Sequence, residues 1–384
     1  MMKICLIGPT YLPSRRANTI QIMKMAQALA ECGYEIEVLA PDYKTREPIT
    51  NSDPRDWNTI SQLYGLERQF PITWLPIRPG WRTYDYGWKA VQYAKNHRAD
   101  LVYTRLPQAA AISSVRGIPT VFEVHDFPQS HAAQNLLRIF LTGRGAQRLV
   151  VITHALKADL RSLFGRRLEE PFAIVAPDGV DLARYKSLPD PETAREVLGL
   201  ENRFTAGYTG HLYPGRGIDF ILELAQRLPH VNFLLVGGED DAVQDWKALA
   251  AQRQLANVSL TGFIPNSRLP QYQAACEILL MPYRTQVAAS SGGDIGRYLS
   301  PMKLFEYLAC GRVILASDLP VLREVLNSDN AILLPPQDLD AWVEAIQNGL
   351  QFPEHYTMLA RQAQDTAQQF TWKARVLKIF NDTL

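Results

Sequence analysis

Cysteine is scarce in this chain: four in 384 residues, at positions 5, 32, 276 and 310. Each falls inside an apolar strand or helix pattern, and no two have the spacing of zinc ligands. A disulfide scaffold and a zinc site are therefore excluded, and reduced thiols in a cytosolic protein are expected. An excess of one charge is also missing. Lys and Arg number 40 against 39 Asp and Glu, a formal net charge of +1. With no basic or acidic tail, nothing draws the whole chain to nucleic acid. No apolar run approaches the ~20 residues of a membrane-spanning helix. The opening MMKICLIGPTYLP has one lysine and no small-residue cleavage site, so it reads as a first strand rather than a signal peptide. Low-complexity segments and short-period repeats are absent. IGPTYLPS, after that strand, lacks the G-x-G-x-x-G turn expected of a nicotinamide-dependent oxidoreductase. His131 and His154 have no partner at ligand spacing, which argues against a metal. Ser113–Ser114 and Ser290–Ser291 lack a nucleophile-elbow frame, which argues against a serine hydrolase. Glu239–Asp240–Asp241 follows two glycines where a helix should begin, and reads as a cap and dipole feature.

What is present is a 47% hydrophobic, 21% charged chain, the balance of a globular enzyme long enough for two cores. Short apolar runs alternate with helical periodicity, the signature of βαβ units on parallel sheets. Strands are predicted at 3–8, 35–39, 72–75, 101–103, 120–124 and 149–153. Asn18 is expected to cap a helix running to Cys32, and another helix is predicted at 84–94. The rhythm restarts near residue 203. Strands are predicted there at 206–209, 233–236, 258–260, 278–281, 313–316 and 332–334, with helices at 217–227, 243–253, 267–275, 301–310, 320–327 and 338–350. SLPDPET, residues 187–193, is rich in proline and charge and reads as the joint. The expected fold class is α/β, two doubly wound Rossmann-like domains facing a central cleft. The first covers 1–186, and the second 187–368. In open α/β sheets, ligands bind beyond the carboxyl ends of the strands, so the cleft is the expected site.

Two segments carry chemistry. Residues 290–317 read as a glycine loop holding Gly292 and Gly293, then a helix, then the buried strand RVILA. Ser300 is a natural N-cap, with Pro301 at the first helical position. The free N–H groups of that helix end favour an anion. Lys303 lies near that anion, Leu304 beside it is counted with the donor-binding residues, and the Glu306 carboxylate can accept two hydrogen bonds from a ribose diol. In GHLYPGRGID, residues 210–219, glycines 210, 215 and 217 let backbone approach a ligand. His211 and Arg216 can both face an anion, and the Arg216 fork suits a diphosphate. A surface arginine in a plain loop is the bland reading of that segment, and a solvated first-turn lysine that of Lys303. A carboxylate on the otherwise apolar face of 304–309 is harder to explain structurally, because an unpaired buried charge is costly.

GHLYPGRGID and SPMKLFEYLACGRVILAS resemble the donor-binding motifs of retaining glycosyltransferases of family 4, which have two Rossmann domains in the GT-B architecture. NTIQIMKMAQALAECGYEIEVLA, VFEVHDF, APDGVDLARY, LTGFIPNSRLPQYQAACEILLMPY and TWKA extend the resemblance over nearly the whole chain, most weakly at 41–100. The family implies transfer of a sugar from a nucleotide-diphosphate sugar with retention at the anomeric carbon and without a bound metal or other cofactor. UDP and GDP donors both stay open. Matched by motif, Arg216 binds the diphosphate, Glu306 holds the ribose hydroxyls, Phe263 and Ile264 meet the base, and His125 is the histidine near the sugar. His211 stands where an arginine is more usual. The resemblance also implies that the last helix, 369–384, packs back on the first domain.

Two departures stand out. Tyr298 occupies the place of a glutamate that contacts the sugar, and Asp294 is the candidate substitute. LPSRRAN replaces a Gly-Gly pair after the first strand, leaving Ser14, Arg15, Arg16 and Asn18 to meet a phosphate on donor or acceptor. Chemically, Arg216, Lys303, His211 and the helix end at 301 would stabilise charge developing on the leaving diphosphate. The acceptor is expected to be a glycan, a lipid-linked sugar or a small molecule. Residues 135–148, which carry Arg138, Arg144 and Arg148, suit either an anionic membrane surface or a helix packed on its own sheet with arginines at the rim. The expected place is cytoplasmic, with peripheral membrane attachment left open. A sugar-nucleotide epimerase on the same scaffold, which needs carboxylates placed for proton transfer, and a non-catalytic sugar-nucleotide-binding member are the alternatives.

Overall fold

The computed structural model describes residues 1–9, 11–42, 55–78, 82–288 and 293–380. Its described residues form two compact units, Met1–Asp178 with Trp372–Leu384, and Gly179–Thr371. The division falls after Asp178 rather than at 187–193. There Asp190 caps a helix through its carboxylate, with Pro191 at its first position, so the proline-rich stretch opens an element of the second unit.

In the first unit the order is β1 (Lys3–Ile7), α1 (Ala17–Glu31), β2 (Glu35–Asp42), α2 (Trp57–Tyr64), β3 (Ile72–Pro76), α3 (Arg82–Asn96), β4 (Leu101–Thr104), α4 (Pro107–Val115), β5 (Thr120–Val124), α5 (His131–Thr142), β6 (Ala146–Val151), α6 (His154–Phe164) and β7 (Ala173–Val175). The second unit has α7 (Pro191–Leu198), β8 (Thr205–Thr209), α8 (Ile218–Arg227), β9 (Asn232–Val236), α9 (Asp240–Gln252), β10 (Val258–Leu260), α10 (Leu269–Ala274), β11 (Ile278–Met281), α11 (Met302–Cys310), β12 (Val313–Ser317), β13 (Ile332–Leu334), α12 (Leu339–Gln351) and α13 (Pro353–Ala367). The last helix, α14 (Trp372–Phe380), belongs to the first unit.

The first sheet runs β3-β2-β1-β4-β5-β6-β7 and the second β10-β9-β8-β11-β12-β13, with parallel pairing between the strands. Strands such as β8 and β12 are buried along their whole length, because helices cover both faces of a parallel sheet. Strand order reverses between β1 and β4 in one sheet and between β8 and β11 in the other. Such a switch point leaves an opening at the carboxyl ends of the strands.

Several expectations shift. Arg16 holds the cap position of α1 and makes no side-chain cap bond; Asn18 lies inside the helix. Pro301 is the cap residue of α11, so Ser300 precedes the cap. The helix expected at 320–327 is a single 3-10 turn, Leu322–Glu324, while α13 and β7 had no predicted counterpart. Asp240 and Asp241 sit in the first turn of α9, where they suit its dipole, but Glu239 makes no side-chain cap bond. On the 135–148 stretch, α5 buries Leu137, Phe140 and Leu141. Arg148 is not at the rim: it is buried and donates to the Ile379 carbonyl of α14. No helix among the described residues is long and apolar enough to cross a membrane.

Candidate functional site

The switch point of the second sheet assembles the cationic residues. The turn after β8 carries Gly210, His211 and Arg216, and Gly210 has a φ of 128°. A Cβ on Gly215 would stand 2.1 Å from the Gln286 carbonyl oxygen, and one on Gly217 2.0 Å from that of Pro282. These two glycines therefore let the turn press on the chain's own segment after β11, and not on a ligand as expected. Pressed there, Arg216 lies beside Tyr283. Its Nη1 donates to the Tyr283 hydroxyl at 3.3 Å, and its Cζ is 5.4 Å from the ring centroid. The Nε of Arg216 is buried with no hydrogen-bond partner among the described residues.

Lys303, in the first turn of α11, points into the same place. Its side chain is buried, and its Nζ lies 3.5 Å from the Tyr208 ring centroid and 5.7 Å from that of Tyr283. No oxygen of a described residue accepts from that Nζ. Burial, and then the neighbouring Arg216 charge, push the Lys303 pKa well below the ordinary lysine value, with Glu306 pulling weakly the other way. Tyr208 is itself fixed, donating to the His211 carbonyl at 2.7 Å. The His211 ring stacks on Tyr213 at 4.8 Å, and its Nδ1 lies 3.7 Å from Glu239. A half-buried arginine and a buried lysine at one switch point, each with a buried donor that no described residue accepts, suit an anion.

Glu306 lies one turn further along α11 and is partly exposed. Asn266 Nδ2 donates to its Oε1 and Gln273 Nε2 to its Oε2, both at 3.3 Å. Those amides are fixed in turn: Arg184 Nη1 donates to Asn266 Oδ1 at 2.7 Å, and the Tyr185 hydroxyl to Gln273 Oε1 at 2.9 Å. This resolves the oddity of a carboxylate on an apolar helix. Two neutral amides orient it without neutralising it, and leave it able to accept from a diol. Phe263 and Ile264 follow β10, beside the bridge between Gly237 and Gly262. Leu304 is buried in the core below the site.

Asp294 has another occupation. Its Oδ1 accepts from the backbone N–H groups of Val287 and Gly296, both at 2.8 Å. It staples the loop, and we assign it no catalytic part. Tyr298 is buried in a 3-10 turn, and Gly293 is exposed with φ 87°. Gly292 lies outside the described residues, as do Ser290 and Ser291.

In the first unit, His125 follows β5. Its Nε2 is bonded to the Glu123 carboxylate, which also accepts from the Tyr103 hydroxyl, from Gln21 Nε2 at 2.7 Å and from Arg375 Nη2 at 2.8 Å. Burial, then the Arg105 charge, lower the His125 pKa. Ser14 is buried and structural: its N–H donates to the Tyr64 hydroxyl at 2.7 Å, and that hydroxyl donates back to the Ser14 carbonyl at 2.9 Å. The Arg16 guanidinium lies 5.4 Å from the Tyr11 ring. Arg15 and Asn18 are partly buried beside them. Glu123, His125 and Asp178 bring ligand atoms within 4.8 Å of one another. The set fits a cation poorly, since Arg375 already occupies the Glu123 carboxylate and Arg105 adds a second positive charge.

Sequence reasoning missed Tyr208, Tyr283, Asn266 and Gln273 in one unit and Tyr103 and Arg375 in the other as members of these clusters, and none of the six carried a local signal; Glu123, beside the histidine in VFEVHDF, did.

Family models described as "Glycosyltransferase Family 4" and "Glycosyl transferases group 1" match residues 19–184 and 203–351. D-inositol 3-phosphate glycosyltransferase of Gordonia bronchialis is 26% identical over 243 residues, 59% of this chain and 50% of that protein. This chain spans half the length of that relative, and 31% and 40% of the two curated relatives that follow it. Among solved structures, sucrose-phosphate synthase of Thermosynechococcus elongatus aligns with a TM-score of 0.71 at 19% identity, over 99% of this chain and 97% of its own. HepE of Anabaena in complex with UDP-glucose aligns with a TM-score of 0.73 at 19% identity, over 99% and 98% of the two chains.

Proposed function

The chain belongs to the glycosyltransferases of family 4, the group 1 type with the GT-B fold, and from that premise we propose that it transfers a sugar from a nucleotide-diphosphate sugar to an acceptor hydroxyl. The observation that carries the reading is the pair of cations Arg216 and Lys303, whose buried Nε and Nζ have no hydrogen-bond partner among the described residues. A diphosphate supplies the missing acceptors. Glu306, one turn beyond Lys303, takes the ribose hydroxyls. When the sugar–phosphate bond breaks, charge grows on the β-phosphate. The guanidinium, the ammonium and the N-terminus of α11 are already aimed there, so little reorganisation is needed.

The donor carries UDP or GDP, the reaction retains anomeric configuration, and no metal takes part, since the fixed cations do the work of a divalent ion. His125 serves the sugar or acceptor side, with Arg15 and Arg16 toward a phosphate. The acceptor is a hydroxyl of a glycan, a lipid-linked sugar or a small molecule in polysaccharide biosynthesis. The place of action is cytoplasmic, with peripheral attachment where the acceptor is lipid-linked.

The test is thermal unfolding of the full chain with UDP, GDP and their hexose conjugates in the presence of EDTA. A ligand at a hundredfold its Kd stabilises the native state by about 2.7 kcal/mol. At least one nucleotide should raise the Tm, and its sugar conjugate should release that nucleoside diphosphate when acceptor is added. If none moves the Tm, the reading fails. The anomeric configuration of the product, read by NMR, decides retention.

A further inference from the structure

The first unit holds a buried charge cluster that donor binding does not explain. Glu123 is on β5 with its side chain fully covered, and Arg375 on α14 is almost as deep. The two are 252 positions apart. A buried ion pair is a poor way to add stability, since desolvation consumes most of the Coulomb gain. Here it is also over-determined. Glu123 accepts from Arg375, Gln21, Tyr103 and His125. Arg375 donates as well to the Pro177 carbonyl at 2.9 Å and to the Tyr103 hydroxyl at 3.3 Å. Arg105 Nη1 fixes Gln21 from the other side at 2.9 Å.

Of the described groups bonded to Glu123, His125 is the one that reaches the surface, with 18% of its side chain exposed. Its bond to Glu123 uses Nε2, and a carboxylate only accepts, so Nε2 must carry the proton. A neutral imidazole then has its lone pair on Nδ1. No hydrogen bond from a described residue reaches that atom.

We infer that Glu123, held in turn by Arg375, positions His125 with Nδ1 outward as a hydrogen-bond acceptor, so that the C-terminal helix sets the polarity this histidine shows to a ligand hydroxyl. Glu123 and Arg375 are thus positioning residues. That the ligand is a sugar or acceptor hydroxyl rests on the transferase reading; the protonation pattern of the ring does not. The charged and titratable groups around the ring are Glu123 on β5, Tyr103 on β4, Arg105 after it, Asp178 after β7 and Arg375 on α14. Burial and Arg105 keep the ring neutral, so the acceptor form is the resting one.

The experiment is NMR of the full chain labelled at histidine ring nitrogens, with His125 assigned from its loss in H125Q. Wild type should show Nε2 protonated, with a far-downfield proton protected from exchange, and Nδ1 unprotonated through neutral pH. E123L/R375M removes both charges and so avoids a stranded guanidinium; it should lose the protected proton. In E123Q, the acid limb of turnover should move to lower pH while the KM for the donor stays within about twofold. A wild-type ring protonated at Nδ1, or a protected proton that survives E123L/R375M, overturns the inference whatever the enzyme's substrate. The ring measurement on wild type decides the matter even if a variant does not fold.

Discussion

Lys303→Met should make the protein more stable and a poorer binder at once. The Lys303 ammonium is buried without an oxygen partner among the described residues, and an unpaired ion in that position costs several kcal/mol of desolvation. The Tyr208 face at 3.5 Å returns about 2 kcal/mol through cation–π attraction. Met matches the stem's length and carries no charge, so the variant should gain about 1–3 kcal/mol, by the difference of those two effects. For a unit of about 190 residues this is roughly 3–9 °C in Tm. The pH dependence has a definite sign. The folded pKa lies below the ordinary 10.5, so between the two values the unfolded chain binds more protons, and wild-type stability rises with pH across that window. The advantage of Lys303→Met should be full below the folded value and vanish near the ordinary one. Affinity moves the opposite way. Losing a charge-assisted bond of about 1.5–3 kcal/mol should weaken nucleoside diphosphate binding roughly 10- to 100-fold. Scanning calorimetry from neutral to alkaline pH, with titration calorimetry against UDP and GDP, measures both. A variant that melts below wild type, or binds diphosphate as tightly, refutes the reasoning.

Glu306→Ala should weaken nucleotide binding about tenfold or more, whereas a 2′,3′-dideoxy nucleotide should bind wild type and variant alike; equal losses on both ligands would remove the ribose role. Gly210→Ala places a Cβ 2.8 Å from Lys303 Nζ at a φ of 128°. It should destabilise the fold by at least ~1 kcal/mol and depress diphosphate affinity, read by the same two calorimetric measurements. Arg375→Met leaves Glu123 buried without its cation and should cost about 3–5 kcal/mol in urea unfolding; a loss near zero would mean that the ion pair does not hold α14. Asp294→Asn should preserve turnover within about threefold, because Asn can still accept the two loop N–H bonds; a hundredfold loss would restore a catalytic part to Asp294.

Much of the fold was legible because parallel strands buried on both faces leave continuous apolar runs. Thr120–Val124 and Ile278–Met281, buried throughout, stand where that pattern puts them, and the less buried edge strands Val258–Leu260 and Ile332–Leu334 fall on their apolar runs as well. The helix ends were less legible. Pro301 and Arg16 take cap positions without a capping side chain, so composition pointed one or two residues away. Within the site, Arg216, Lys303 and Glu306 are local signals: charged residues in glycine turns and on an apolar helix, where a charge needs a reason.

What the chain could not announce is what each charge touches. Glu306 takes its orientation from Asn266 and Gln273, 40 and 33 positions away, and Lys303 lies under a tyrosine at the end of β8. Gly215 and Gly217 look like ligand glycines in sequence but yield to the chain's own backbone. Periodicity records which side of an element is buried, because burial acts residue by residue. Partnership depends on strand order, and a crossover that sets β8 beside β11, or returns Arg375 to Glu123, leaves no mark on either segment alone.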